Sequence, residues 1–255
     1  MRSEHKTLHK NKQEVFRYWE NISQRMENNG TFELLKEKKI FDHTWFITAD
    51  ALITKGNIQP GNSILDAGCG WGRNISGIKF FIPETKIVGI DTDQLRLERG
   101  QIFLEELKLN DNTELKIGDV DNLDFNDNEF DVVVSARVLQ YVPDPMTTIN
   151  ELSRVLKPGG KLVITVPNKF NPYRLATYSR ILYSPKEVKS WFIENNLLDI
   201  SCTTIGFIPT FKRFHWRSKI LLIENLKYIP GINLIGGLVV CSGKKKDIIS
   251  SIVHK

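Results

Sequence analysis

The chain has 255 residues, of which 41% are hydrophobic and 25% charged, as in an ordinary globular protein with one large α/β domain and a smaller appendage. No stretch approaches the ~18 apolar residues of a membrane span, and the basic first dozen residues have no apolar run behind them, so neither a span nor a secretory signal is read. The net charge of +5 is segregated: residues 206–255 hold nine Lys or Arg against Glu224 and Asp247, while residues 1–205 sum to −2, a pattern that marks a partner surface.

In chain order, residues 13–56 read as helices, with Val15, Tyr18, Trp19 and Ile22, then Trp45, Ala49, Leu52 and Ile53, at helical spacing. After the Pro60-Gly61 turn, short β-branched runs alternate with helical stretches, which predicts a parallel sheet of βαβ units. The predicted strands are 63–67, 86–90, 114–117, 130–135, 161–166, 199–205 and 238–242. The predicted helices are 72–81, 93–107, 145–156 (opened by Pro145) and 184–195, where Ser184-Pro185 reads as a cap and first-turn proline. Cys69, Cys202 and Cys241 show neither zinc-ligand spacing nor a disulfide framework, so a reducing cytoplasm is expected, and no clustered His or carboxylate set suggests a metal.

The first strand runs into Asp66-Ala67-Gly68-Cys69-Gly70-Trp71-Gly72-Arg73. A glycine-rich turn between strand and helix brings ligand against bare backbone, and the spacing is G-x-G-x-G, not the G-x-G-x-x-G of dinucleotide enzymes. Asp91 closes the second strand, 19 residues beyond Gly72. A carboxylate there can accept bonds from two ribose hydroxyls, whether of NAD or of S-adenosylmethionine, or it can cap a helix. Gly118-Asp119-Val120 follows the third strand, where Asp119 can accept from an adenine amino group and the next N–H can donate to a ring nitrogen.

Together with FDVVVSARVLQYVPD at 130–144 and VLKPGGKLVITVPN at 155–168, these motifs resemble the class I S-adenosylmethionine-dependent methyltransferases, especially those of ubiquinone and menaquinone biosynthesis. The resemblance covers about residues 60–168 and, more loosely, the strands to 243. It implies an α/β, Rossmann-like seven-stranded sheet, mostly parallel with the last strand antiparallel, with S-adenosyl-L-methionine as cofactor. The implied cofactor residues are Asp66, Gly68, Cys69 and Gly70 at the methionine part, Asp91 at the ribose, and Thr92, Asp119 and Val120 at the adenine. Ser135, Ala136 and Arg137 would face the sulfonium and the acceptor. Arg137 departs from the family's small or polar residue, and could grip an acidic acceptor, pair with a local carboxylate or pair with the cofactor's own. Arg73 either binds the cofactor carboxylate or is an exposed first-turn residue. Trp71 either covers the cofactor or seals the core. Tyr18 and Trp19 lie on a helix that would cover the cofactor mouth.

In-line transfer needs alignment first and a base only for some nucleophiles. His43, His215 and Tyr141 are the candidate bases, and none has a supporting cluster. The sequence has no Asn/Asp-Pro-Pro-aromatic motif after the fourth strand, no Pro-Cys nucleophile and no paired glutamates there, which argues against DNA and protein-arginine substrates and leaves a small or lipid-like acceptor. The expected organisation is a helical cap at 1–59, a cofactor-binding core at 60–205, a basic aromatic insertion at 206–236, and the last strand with a basic tail at 237–255. The insertion reads as a lid, a homodimer contact, a peripheral membrane surface or, least of all, an RNA contact.

Overall fold

A computed structural model describes residues 43–171, 181–206 and 236–247. The expected helices before residue 43, with Tyr18 and Trp19, lie outside these residues. So do His215 and nearly all of the basic insertion.

Helix α1 (His43–Gly56) leads into β1 (Ser63–Ala67), α2 (Arg73–Phe81), β2 (Lys86–Asp91), α3 (Gln94–Glu106) and β3 (Thr113–Ile117). Then come β4 (Phe130–Ala136), α4 (Pro145–Arg154), β5 (Leu156–Pro167), α5 (Pro185–Glu194), β6 (Leu198–Ile205) and β7 (Leu238–Lys244). The strands form one sheet in the order β3-β2-β1-β4-β5-β7-β6. The pairings from β3 across to β5 are parallel, and β7 runs antiparallel to both β5 and β6. This is the expected fold.

Strand alternation sorts the core into two layers. Ile64, Val132, Val134, Val163 and Val240 face one side, under Leu52 of α1, Ile75 and Ile78 of α2, and Leu97 and Leu104 of α3. Leu65, Val133, Leu162, Ile164 and Val239 face the other, against Ile149 and Leu152 of α4 and Val188 and Phe192 of α5. With both faces covered, the central strands carry consecutive buried apolar residues, such as Val132–Val134 and Leu162–Ile164, which is why they stand out as short hydrophobic runs.

Local chemistry sets the helix starts. Asp144 accepts from the N–H groups of Met146 and Thr147 ahead of α4. Ser184 and Glu187 form a reciprocal capping box with Pro185 at the first turn of α5. One boundary differs from expectation. Helix α4 ends at Arg154 and β5 already begins at Leu156, so Pro158-Gly159-Gly160 is a bulge within the strand's span: the register jumps from Phe130↔Leu156 to Val132↔Lys161. Gly159 makes this possible with φ of 79°, and its N–H donates to the Lys245 carbonyl at 3.0 Å.

The cysteine reading is corrected. Cys202 and Cys241 are directly opposite in the β6–β7 ladder and form a disulfide. Their separation of 39 positions hid the pairing, because antiparallel strands bring together positions remote in sequence. The inference of a reducing compartment, drawn from cysteine spacing, loses that support. Cys69 is a free, buried thiol. No helix among the described residues is long and apolar enough to cross a membrane.

Candidate functional site

The sheet order reverses between β1 and β4: the chain leaves β1 for β2 on one side and later returns to β4 on the other. Ligands of open α/β sheets bind outside the carboxyl ends of the strands at such a point. Three elements converge there: the β1–α2 glycine loop, the end of β2 and the turn after β4.

In the glycine loop, Gly68, Gly70 and Gly72 have φ of 81°, 55° and 79°. The N–H groups of Gly68 and Cys69 both donate to the Ile90 carbonyl at 2.8 Å, which ties the loop to β2. A Cβ on Gly68 would stand 2.3 Å from Val138 Cγ2, so only glycine lets the post-β4 turn approach. Gly70 is different: a Cβ there would meet nothing closer than Arg96 Nη1 at 3.6 Å and Asp91 Oδ2 at 4.0 Å. The space a side chain would take there is bounded by these two polar groups. The Cys69 thiol packs in the core and burial pushes its pKa well up, so only its backbone borders the site. Trp71 stacks edge-on against Phe103 at 5.0 Å and belongs to the core beneath α3. Arg73 is half-buried at the first residue of α2.

Asp91 accepts hydrogen bonds from the Gly70 N–H at 2.8 Å and the Asp93 N–H at 3.1 Å. These fix its carboxylate at the loop's mouth. The helix cap is the next carboxylate: Asp93 accepts from the Arg96 N–H at 3.2 Å and starts α3. Half-buried Thr92 lies between them. Burial raises the Asp91 pKa, while the Arg96 charge and the two N–H bonds oppose that rise. Arg96 was not singled out in the sequence. Its guanidinium reaches back from the first turn of α3, with Nε 3.4 Å from Asp93, and the Asp-x-x-Arg spacing was the available signal.

Asp66 is fully buried, and neither carboxylate oxygen has a hydrogen-bond partner among the described residues. Burial, with the Asp91 charge adding to it, pushes its pKa to about 7 against the opposing effect of Asn74. An orphaned carboxylate of this kind is costly unless a ligand satisfies it.

Beyond β3, the Gly118 N–H donates to the Asp91 carbonyl at 3.1 Å, which places Asp119 beside the end of β2. Asp119 Oδ1 accepts from the Asp121 N–H at 3.0 Å. The Val120 side chain is in the core, so its possible ligand contact is through backbone. After β4, the Ser135 hydroxyl is buried and donates to the Ala67 carbonyl at 2.9 Å, bracing β4 against β1. Ala136 lies at the end of β4. Arg137 is exposed with φ of 60°, a left-handed conformation that non-glycine residues rarely adopt. Tyr141 is half-buried in the following turn, its N–H bonded to the Val138 carbonyl at 2.8 Å. His43 begins α1, but its side chain, like Tyr18 and His215, lies outside the described residues. No group of three or more His, Cys, Asp or Glu among the described residues could hold a metal.

A family profile described as a methyltransferase domain matches residues 58–225. The demethylmenaquinone methyltransferase of Staphylococcus saprophyticus is 34% identical over 156 residues, covering 60% of this chain and 61% of that protein. A methyltransferase of Schizosaccharomyces pombe is 35% identical over 109 residues, 40% of this chain and 39% of that one. The chain thus spans less than two thirds of the length of the curated relatives it matches. Among solved structures, the methyltransferase in complex with the Haloferax volcanii Trm112 methyltransferase activator superposes with a TM-score of 0.63 at 18% identity, covering 88% of this chain and 97% of that one. That last likeness concerns the fold. With the profile covering well over half of its length, the chain belongs to the class I S-adenosylmethionine-dependent methyltransferases.

Proposed function

We propose that the protein transfers a methyl group from S-adenosylmethionine to a small-molecule or lipid-like acceptor. The observation that carries this reading is the buried Asp66 carboxylate, with no hydrogen-bond partner among the described residues, beneath a glycine loop at the switch point of the sheet. An ammonium group is the natural complement of an orphaned acid, and the cofactor carries one. The residues present therefore fit the group.

In this reading, Asp66 binds the cofactor's amino group directly or through water, and the Gly68–Gly70 backbone borders its methionine part. Asp91, already aimed by two N–H groups, accepts from the ribose hydroxyls. Thr92, Asp119 and the Val120 N–H contact the adenine. Arg73 is available to the cofactor carboxylate. When bound, the cofactor supplies an electrophilic methyl on a sulfonium. The chain's own task is to hold the acceptor in line behind that methyl and to exclude water, which in well-oriented systems accounts for roughly 7–11 kcal/mol of barrier. Ala136, small and at the end of β4, leaves room for that approach. The insertion 206–236 is proposed to cover the acceptor or to meet a lipid surface.

The acceptor class rests on the relatives and on missing macromolecular motifs. The Staphylococcus relative is a demethylmenaquinone methyltransferase, and geranyl diphosphate C-methyltransferase from Streptomyces coelicolor shares the fold at a TM-score of 0.56 and 19% identity. A nicotinamide oxidoreductase would use the same loop and Asp91 but gives Asp119 no role. The test is transfer of labelled methyl into fractionated cell extract. Label is expected in the low-molecular-weight aqueous or lipid phase; label confined to nucleic acid or precipitated protein would overturn the acceptor class.

A further inference from the structure

Arg96 stands at the cofactor face but has no part in the contacts proposed so far. It lies in the first turn of α3, where buried Asp93 holds it twice. One carboxylate oxygen of Asp93 accepts from the Arg96 backbone N–H at 3.2 Å, and the other lies 3.4 Å from its Nε. With its base held in this way, the side chain brings its guanidinium back to the glycine loop. A Cβ built on Gly70 would stand 3.6 Å from Arg96 Nη1 and 4.0 Å from Asp91 Oδ2. The two side chains therefore border one space, above bare backbone. Both are partly exposed, so a ligand arriving from outside meets them together, whereas Asp93 behind them is buried. Their charges also interact: burial raises the Asp91 pKa, and the Arg96 charge is the largest influence against that rise.

The two groups have complementary chemistry. An ionised carboxylate only accepts, and a guanidinium only donates. Each Asp91 oxygen takes one backbone N–H, Oδ2 from Gly70 and Oδ1 from Asp93, and keeps capacity for a ligand hydroxyl. A hydroxyl that gives its proton to Asp91 retains two lone pairs, and these need a donor once the ligand has displaced water. Arg96 Nη1 is a donor at the border of the same space. An ammonium has no lone pair for Arg96, and a carboxylate or phosphate has no proton for Asp91 and is repelled by it. A vicinal diol carries protons and lone pairs on adjacent carbons and so engages both side chains.

We propose that Arg96 is a second ribose-binding residue: Asp91 accepts from the vicinal diol of the cofactor, and Arg96 donates to the oxygens of that diol. This inference deepens the methyltransferase reading and rests on it. Arg96 contributes to cofactor binding here, with no proton transfer assigned to it.

The test is a binding cycle on the full chain by calorimetric titration. The probes are S-adenosylhomocysteine and its analogue lacking both ribose hydroxyls, which differ only in the diol. Arg96→Met is expected to weaken S-adenosylhomocysteine by about tenfold, the scale of one hydrogen bond to a charged group. The affinity for the dideoxy analogue should change by no more than about twofold, as for a group that the substitution does not touch. In an Asp91→Ala background, Arg96→Met should still reduce the remaining preference for the diol by at least about threefold, because Arg96 meets the ribose itself. Should Arg96→Met fail to fold, Arg96→Gln is read by the same comparison. Equal weakening of both probes, or weakening of neither, would overturn the inference. So would an effect that vanishes in the Asp91→Ala background, since Arg96 would then serve only as the counter-charge of Asp91. A wild type that binds S-adenosylhomocysteine no better than the dideoxy analogue would overturn the inference and leave the methyltransferase reading standing. A wild type that binds neither probe would overturn that reading, and the inference with it.

Discussion

Asp66 and Asp91 lie at the ends of adjacent strands and have different chemistry. Asp91 is held by two backbone N–H groups and its charge is favoured by Arg96, whereas Asp66 is fully buried with only the Asn74 side chain to offset that burial. Burial raises the Asp66 pKa from its usual 3.8 to about 7. In the cofactor-free protein, the folded chain then retains a proton that the unfolded chain releases. Its contribution to stability is full below pH about 4 and is lost as pH rises through about 7. Binding of an ammonium-bearing ligand favours the ionised form, so S-adenosylhomocysteine affinity should rise by about tenfold between pH 6 and pH 8. Calorimetric titration at both pH values checks this, and Asp66→Asn should flatten the dependence. Asp91→Ala should weaken the same ligand by ~1.5–3 kcal/mol, as for hydrogen bonds to charged groups; unchanged affinity would remove Asp91 from the ribose. At this scale, the sequence showed which acids stand at strand ends but not their environments. That Asp93 and not Asp91 caps α3, and that Ser135 points into the sheet, follow from strand register and helix phase, which only the assembled fold supplies.

Among the elements, the glycine loop separates folding from binding. Gly68→Ala should lower the melting temperature by many degrees, because its Cβ would overlap Val138 and its backbone is left-handed. Gly70→Ala should cost only about 1–2 kcal/mol of stability, for the left-handed backbone, while sharply weakening S-adenosylhomocysteine. Thermal unfolding with and without ligand distinguishes the two. The Cys202–Cys241 disulfide joins β6 to β7 at the base of the segment between them. Reduction, or Cys202→Ser, should destabilise the protein by about 2–4 kcal/mol, seen as a lower melting temperature in reductant; no change would mean that the bond is not a staple. Capping signals such as Ser184-Pro185 and Pro145 were readable because they act over one helical turn. The disulfide was not, because it depends on the pairing of β6 with β7, and the bulge at Gly159 was not, because it depends on the register of β5 against β4.

Across the whole molecule, the strand segments were readable because the central strands are buried on both faces, while the seven-stranded sheet with its antiparallel last strand came from the family resemblance and its order only from the assembled fold. The acceptor was not readable, since no motif in the chain specifies it. The central claim is that the carboxyl ends of β1, β2 and β3 form a cradle for an adenosyl sulfonium. Side-by-side calorimetric titration of the wild-type chain with S-adenosylhomocysteine and with NADH tests it most directly. One equivalent of S-adenosylhomocysteine should bind, with no heat from NADH; tight NADH binding with no uptake of S-adenosylhomocysteine would contradict it.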